Sequence, residues 1–229
     1  MNSKIWMLVI ALFCVLSAHA QKPTTQYSKA QESDPQAKAV LDKLRKKYQA
    51  FQSLEVAFTL EIELPDQKKE VQQGKIAKQG KKYRVDLASQ SVISDGTALW
   101  LVLHNNKEVQ INNLPDPSED ENILSPEALF SFYDKGKFVY SLVNESTVAG
   151  KVVQEIEFKP LDKGSEYAKF RLTVDKAALT VVNMKAFGKD ASRYTVKMGA
   201  FTPNKTFAAD HFSFAKSKFP GYRVEDLRD

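Results

Sequence analysis

The chain has 229 residues, of which 33 are Lys or Arg and 28 are Asp or Glu, so its formal net charge is +5. With 43% hydrophobic and 27% charged residues, the composition is that of a folded globular protein and excludes a mostly disordered or collagen-like chain. The single cysteine excludes a disulfide framework and any zinc module built from several cysteines. So small a charge over this length gives no reason to expect nucleic-acid binding.

The first twenty residues have the parts of a secretory signal peptide. Lys4 supplies the positive charge, residues 5–16 are an apolar run, and Ala18 and Ala20 are the small residues that a cleavage site requires. The run falls short of the ~20 residues that cross a bilayer. We therefore predict cleavage after Ala20, export to the periplasm, and a mature chain without cysteine, because the only one lies in the apolar run.

Two segments precede the first strand. Residues 21–33 are polar and lack periodicity, so we predict a disordered tether there and a single domain over 34–229. Asp34 followed by Pro35 is typical of a helix start, with the aspartate as the N-cap. An apolar stripe at helical spacing supports a helix, and its members are Ala37, Val40, Leu41, Leu44, Tyr48 and Phe51.

Most of the remaining chain reads as short strands. Residues 54–64 alternate apolar and polar side chains almost without interruption, which predicts a strand with one apolar and one solvated face. Further strands are predicted at 74–78, 83–87, 90–93, 99–103, 108–111, 138–143, 152–158, 170–175, 181–187, 194–198 and 210–214. Short turns between them indicate one antiparallel sheet, whose apolar face must be covered.

A second, short helix is predicted after an acidic, proline-containing loop. Ser125 is a suitable cap and Pro126 a suitable first residue. Leu129, Phe130 and Phe132 make this helix apolar on more than one face. We therefore expect it to lie against the apolar face of the sheet.

The sequence offers no catalytic or metal-binding pattern. His19, His104 and His211 are not paired at ligand spacing, and the chain has neither a GxSxG motif nor a glycine-rich phosphate loop. Glu61 and Glu63 share one strand face, which is more typical of a solvated surface than of a carboxylate pair for catalysis. We predict no catalytic residues, no metal site and no cofactor.

A series of short motifs runs along nearly the whole chain. They are Tyr48-Gln49-Ala50-Phe51, 54–59, 74–76, 83–85, Ile93-Ser94-Asp95-Gly96-Thr97-Ala98-Leu99-Trp100, Ser125-Pro126, 170–175, 212–214 and 219–224. In order and spacing the series resembles the LolA-type outer-membrane lipoprotein carrier family. The resemblance implies an incomplete, half-open antiparallel β-barrel of about eleven strands with helices as a lid over an apolar concavity.

The same resemblance implies a function and partners. Family members carry the acyl chains of lipoproteins from the inner to the outer membrane. They receive them from an inner-membrane lipoprotein-releasing ABC transporter, and many pass them to an outer-membrane receptor. We accordingly expect a monomer that binds acylated lipoproteins and no nucleic acid.

The resemblance also suggests which residues contact the cargo. The expected cavity wall consists of Phe58, Leu60, Ile62, Tyr83, Val85, Trp100, Phe158, Phe170, Leu172 and Met184. The expected lid consists of Leu44, Tyr48, Leu129, Phe130 and Phe132. Each of these side chains is equally compatible with an ordinary packed core, because alternation does not distinguish a filled sheet interior from a hollow one.

One position departs from the family pattern. Gln79 and Gly80 stand where the proteobacterial pattern has Arg-Pro, so the arginine that helps to hold the lid closed does not carry over. The basic residues that could replace it are Lys78, Lys81, Lys82 and Arg84.

Two other functions remain open from the sequence. A regulatory lipid-binding module of the same fold, sensing lipid or mislocalised lipoprotein, is the main alternative to a carrier. A hydrolase acting on an envelope glycolipid is a third, although the chain lacks any nucleophile–base pattern.

Overall fold

The computed structural model describes residues 32–114 and 136–228. Within them one helix, α1 (Pro35–Gln49), precedes the strands. These are β1 (Ser53–Glu63), β2 (Glu70–Gln79), β3 (Lys82–Leu87), β4 (Gln90–Ser94), β5 (Ala98–Leu103), β6 (Glu108–Asn113), β7 (Phe138–Val148), β8 (Lys151–Pro160), β9 (Tyr167–Asp175), β10 (Thr180–Gly188), β11 (Arg193–Pro203) and β12 (Arg223–Asp226).

Helix α1 begins where the sequence predicts. The Asp34 carboxylate accepts a hydrogen bond from the Gln36 N–H at 2.8 Å, and Pro35 occupies the first turn. This cap satisfies one of the backbone donors that a helix start leaves without a partner. Ser33 also lies in the described part, and its hydroxyl accepts a hydrogen bond from the Tyr140 N–H at 3.2 Å. The predicted signal peptide, most of the predicted tether (residues 21–31) and the predicted second helix lie outside the described residues.

All twelve strands belong to one sheet in the order β12-β6-β5-β4-β3-β2-β1-β11-β10-β9-β8-β7. Most neighbours are consecutive in sequence, and the long-range pairing of β1 with β11 joins the two halves. The sheet does not close, because β12 and β7 are its two edges. The expectation of a half-open barrel with a helix over it is therefore confirmed.

The predicted strand at 210–214 is wrong. Its backbone forms turns instead, with the His211 N–H bonded to the Ala208 carbonyl at 3.0 Å and the Ser213 N–H to the Asp210 carbonyl at 3.3 Å. The twelfth strand is β12, which pairs in parallel with β6 and makes that edge an exception to the predicted antiparallel sheet. A four-residue strand with one apolar residue, Val224, gives too short a pattern to detect.

Within the described ranges, two apolar clusters pack on opposite faces of the sheet. The larger includes Leu60 of β1, Leu172 of β9 and the buried stripe of α1, and we call its side of the sheet the inner face. The smaller, with Ile93, Val102 and Val109, is covered by aromatic residues of the C-terminal segment and lies on the outer face.

Candidate functional site

Strand pairing brings nine of the ten predicted wall residues onto the inner face. Directly paired residues point to the same side of a sheet, and the pairs Leu60–Val196, Met184–Val196, Met184–Leu172 and Phe158–Phe170 link β1 to β8 in this way. The nine are Phe58, Leu60, Ile62, Tyr83, Val85, Phe158, Phe170, Leu172 and Met184. All of them belong to or pack against the larger cluster.

Trp100 is the exception, and its assignment to the wall is wrong. It pairs with Ile93, which pairs with Arg84 on the outer face. There its indole stacks on Phe214 with ring centroids 6.2 Å apart. The run 98–103 is apolar at nearly every position, so its sequence does not indicate which side of the strand faces inward.

Helix α1 lies over the inner face at the β7–β11 end of the sheet. Its buried residues include Leu44 and Tyr48, two of the predicted lid residues. At its start, the second Asp34 carboxylate oxygen accepts a hydrogen bond from the Leu142 N–H of β7 at 3.0 Å. At its end, the Tyr48 ring lies 5.7 Å from the ring of Phe201 on β11. The other predicted lid residues, Leu129, Phe130 and Phe132, lie outside the described residues.

The inner face differs in burial from one end to the other. Beneath α1, Phe158, Leu172 and Met184 are at most 2% exposed. Towards β12 burial is less complete: Val85 and Leu87 of β3 are each 9% exposed, and Tyr83 is only half-buried. Three leucines of β5 continue this side: Leu99, Leu101 and Leu103, which pair with Ser94, Val92 and Gln90.

Sequence reasoning missed these leucines as site residues. Leu99, Leu101 and Leu103 are half-buried, and among the described residues they belong to neither apolar cluster. Apolar side chains that are not packed in the core are typical of a ligand-binding surface. The register of β5 on β4 is what places these leucines on the inner face. We call the inner face of β3–β6 the open half and the part beneath α1 the closed half.

The outer face carries a polar network next to the smaller cluster. Arg84 binds both oxygens of Asp86 at 3.0 and 2.8 Å, and the Ser91 hydroxyl donates to Asp86 at 2.7 Å. Burial raises the pKa of Asp86, but the bonds from Arg84 and Ser91 outweigh it and the net pKa is lowered. His104 lies 3.0 Å from Ser91 Oγ through Nε2 and 3.3 Å from the Tyr222 hydroxyl through Nδ1.

This network is not the arrangement of an activated serine. The Ser91 hydroxyl is closer to Asp86 than to His104, and the carboxylate, which can only accept, competes with the imidazole for the serine proton. Ser91 is also only 2% exposed. Arg84 points to Asp86 on this face, so it does not replace the missing arginine of the lid.

Other polar groups of the described ranges form surface ion pairs. Glu61 accepts hydrogen bonds from Lys69 at 2.7 Å and from Lys197 at 2.5 Å on the outer face, and the bond from Lys197, followed by that from Lys69, lowers its pKa. Glu63 lies 3.4 Å from Lys69. Among the described residues there is no group of three or more potential metal ligands, and no helix there is long and apolar enough to span a membrane.

Comparison with known proteins assigns the family. The family model described as outer membrane lipoprotein carrier protein LolA matches residues 49–215. The chain belongs to the LolA family. The match covers β1–β11 and so includes all nine predicted wall residues that lie on the inner face. A comparison with proteins of curated function finds no match.

A comparison with solved structures finds similar chains at low identity. An uncharacterized conserved protein from Thermus thermophilus is 11% identical and superposes with a TM-score of 0.55 over 83% of this chain and 99% of its own, which shows a shared fold. A LolA superfamily protein from Nitrosomonas europaea is 12% identical over 78% of this chain and 97% of its own, with a TM-score of 0.41. LprF from Mycobacterium bovis is 12% identical over 77% and 96%, with a TM-score of 0.45.

Proposed function

We propose that this LolA-family protein is a non-catalytic periplasmic carrier that holds the acyl chains of lipoproteins on its inner face during transfer from the inner to the outer membrane. The observation that carries the proposal is the half-buried apolar surface of the open half, within the segment that matches the family. Cargo would arrive from an inner-membrane lipoprotein-releasing ABC transporter and leave to an outer-membrane receptor. The signal peptide predicted at 1–20 would direct export.

The open half is the part of the inner face that suits acyl chains. The closed half is packed around Phe158 and Ile156, which are fully buried, and a tail could reach these two residues only if α1 moved. The open half instead presents Leu99, Leu101 and Leu103 in a row along β5, beside Val92 and Tyr83 on the next strands. Such a row offers an acyl chain a continuous apolar surface without displacing core residues.

The energetics of acyl transfer require a binding surface rather than a catalytic group. Burying a methylene gains about 0.8 kcal/mol, so a chain of about 15 methylenes gains about 12 kcal/mol over water. Several such chains held against water would pass the practical affinity limit of about 20 kcal/mol. Release into water would therefore be too slow, and the cargo must pass directly from one apolar surface to another.

Co-purification of a lipoprotein tests the proposal. The protein, expressed from its full coding sequence with an affinity tag, is purified from cells that produce either an acylated lipoprotein or the same lipoprotein with its lipid-bearing cysteine changed to serine. We expect capture of the acylated form alone. Equal capture of both forms, or of neither, would contradict a carrier of acyl chains. Stable capture of an anti-sigma factor without any lipoprotein would instead support the sensor alternative.

A pair of variants locates the binding surface. Leu101→Asp places a charge in the open half, whereas Val71→Asp places the same charge on the outer face of β2, where the valine is 56% exposed. A charge at an apolar contact opposes acyl binding. We expect Leu101→Asp to abolish capture and Val71→Asp to preserve it, provided that both variants retain the wild-type circular dichroism spectrum.

A further inference from the structure

The sheet splits at one end between β10 and β11. These strands pair from Phe187–Arg193 to Asn183–Lys197. Beyond that point β10 continues alone with β9, and β11 continues alone with β1. Register shifts occur at the same level on both sides, at 181/183 in β10 and at 56/58 in β1. The separation of β10 from β11 is therefore part of the strand pairing itself.

A cavity of about 390 Å³ occupies the split, a volume within the usual range of about 300–1,000 Å³ for ligand pockets. Val182 of β10 and Met198 of β11 line its two sides. Tyr48 of α1 lines it as well, and the phenol oxygen accepts a hydrogen bond from the Val181 N–H at 3.3 Å. The helix thus satisfies a backbone donor beside the split without filling the space.

The mouth of the cavity is formed by the tip of the β7–β8 hairpin. Val148, Ala149 and Lys151 line it, and Val148 is 57% exposed. An exposed valine beside an apolar cavity extends that cavity into a continuous apolar path from solvent to the interior of the sheet.

A positively charged side chain, that of Lys151, lies at the same mouth. The Lys151 side chain is 72% exposed, and its Nζ lies 3.8 Å from Asp175 Oδ2. Asp175 is already bonded through Oδ1 by the N–H groups of Ala177 and Ala178 at 3.0 and 2.8 Å. Asp175 is thus held mainly by backbone donors, and its contact with the ammonium group is long, so the exposed end of Lys151 can also reach an anionic group at the mouth.

We infer that the split between β10 and β11 is a second lipid site, which binds one alkyl chain with an anionic group at its end. The chain lies between Val182 and Met198, and the anionic group lies at Lys151. This inference rests on the proposed function in so far as both concern acyl chains, but it assigns a site separate from the open half.

Photo-crosslinking with a diazirine derivative of palmitate tests the site, with crosslinked peptides identified by mass spectrometry. We expect crosslinks in 148–153, 180–182 and 198–201. Val182→Trp fills the cavity and should lower these crosslinks about tenfold or more, as steric mismatch in an apolar pocket does.

Exposed variants keep the test valid if Val182→Trp does not fold. Val148→Asp should lower crosslinking at the split, whereas Val71→Asp, the same change at a valine of equal exposure on β2, should not. Lys151→Glu should weaken palmitate and leave a diazirine derivative of hexadecanol unchanged, because only the former carries a negative end. Equal loss of both ligands would overturn the role of Lys151.

The outcomes separate this site from the proposed function. Crosslinks confined to β3–β6 would overturn the second site and leave the carrier intact, whereas no crosslink in any strand would count against both. Repeating the experiment with a diazirine phosphatidylglycerol in vesicles identifies the source of the chain. Crosslinks at the split from the vesicles support a membrane phospholipid, and crosslinks from free palmitate alone support a fatty acid.

Discussion

Gly74 shows how one missing side chain shapes the inner face. It pairs with Phe58, and a Cβ at this position would overlap the Phe58 ring and lie 2.6 Å from the Asp86 carbonyl oxygen. We therefore expect Gly74→Ala to destabilise the protein by about 1–3 kcal/mol, the usual cost of overpacking. The midpoint of chemical denaturation measures this.

Gly164 provides the matched control for that substitution. A Cβ there would approach Asp162 Oδ1 at 3.2 Å, which is the end of a side chain that can turn aside. Gly164→Ala should therefore change stability by less than about 0.5 kcal/mol. Similar midpoints for the two variants would show that the space above Gly74 is not needed for the Phe58 ring.

At the scale of elements, Asp34 joins α1 to the sheet as well as starting the helix. One carboxylate oxygen accepts the Gln36 N–H, the other accepts the Leu142 N–H of β7, and the Asp34 N–H donates to the Tyr140 carbonyl at 2.9 Å. We expect Asp34→Ala to cost about 1–2 kcal/mol, since it removes a cap and leaves a strand donor without its acceptor. Thermal denaturation measures the loss, and hydrogen exchange should show faster exchange in α1 and β7.

Asp42 serves for comparison, because it lies on the same helix but, among the described residues, forms ion pairs with exposed Lys38 and half-buried Arg45 alone. Surface pairs of this kind contribute about 0.2–1 kcal/mol. Asp42→Ala should therefore leave exchange in β7 unchanged. If it accelerates exchange there as much as Asp34→Ala does, the Asp34 contact is not what attaches the helix.

Local sequence patterns predict helices and strands better than they predict which side of each strand faces inward and which distant segments pair. The cap at Asp34, the start of α1 and eleven strands follow from local signals, because capping and alternation act over a few residues. The bond from Leu142 to Asp34 and the pairing of β1 with β11 join distant parts of the chain, which local patterns do not encode. Only the register of β5 on β4 therefore distinguishes Trp100, which faces outward, from Leu101, which faces inward.

At the scale of the whole molecule, the two apolar clusters stabilise opposite faces of the sheet through different sets of residues. The C-terminal segment covers the smaller cluster with Phe214, Phe219 and Tyr222, and the polar network reaches Tyr222 through His104. The larger cluster, next to the proposed cargo surface, involves other residues. We therefore expect the aromatic residues of the C-terminal segment to lose their packing before the inner face opens.

Acid should detach this segment first, because Asp86 has a lowered pKa. A carboxyl group with a lowered pKa in the folded state stabilises it fully above the unfolded value of about 4, and this stabilisation is lost as the pH falls through the folded value. Trp100 stacks on Phe214, and the only other tryptophan, Trp6, lies in the predicted signal peptide. Fluorescence of the processed protein should thus shift to longer wavelength below about pH 4 before the circular dichroism of the sheet changes.

The Asp86→Asn variant should show the same shift already at neutral pH, because an amide has no negative charge and only one acceptor oxygen in place of the two that Arg84 contacts. Asp190→Asn is the matched control: its carboxyl pKa is also lowered, through bonds from the Ser192 hydroxyl and N–H, but it lies in the turn between β10 and β11. This control should keep the wild-type Trp100 spectrum at pH 7. A wild-type spectrum in Asp86→Asn would mean that apolar packing on Trp100 holds the segment without the polar network, and the acid-induced shift would then need another cause.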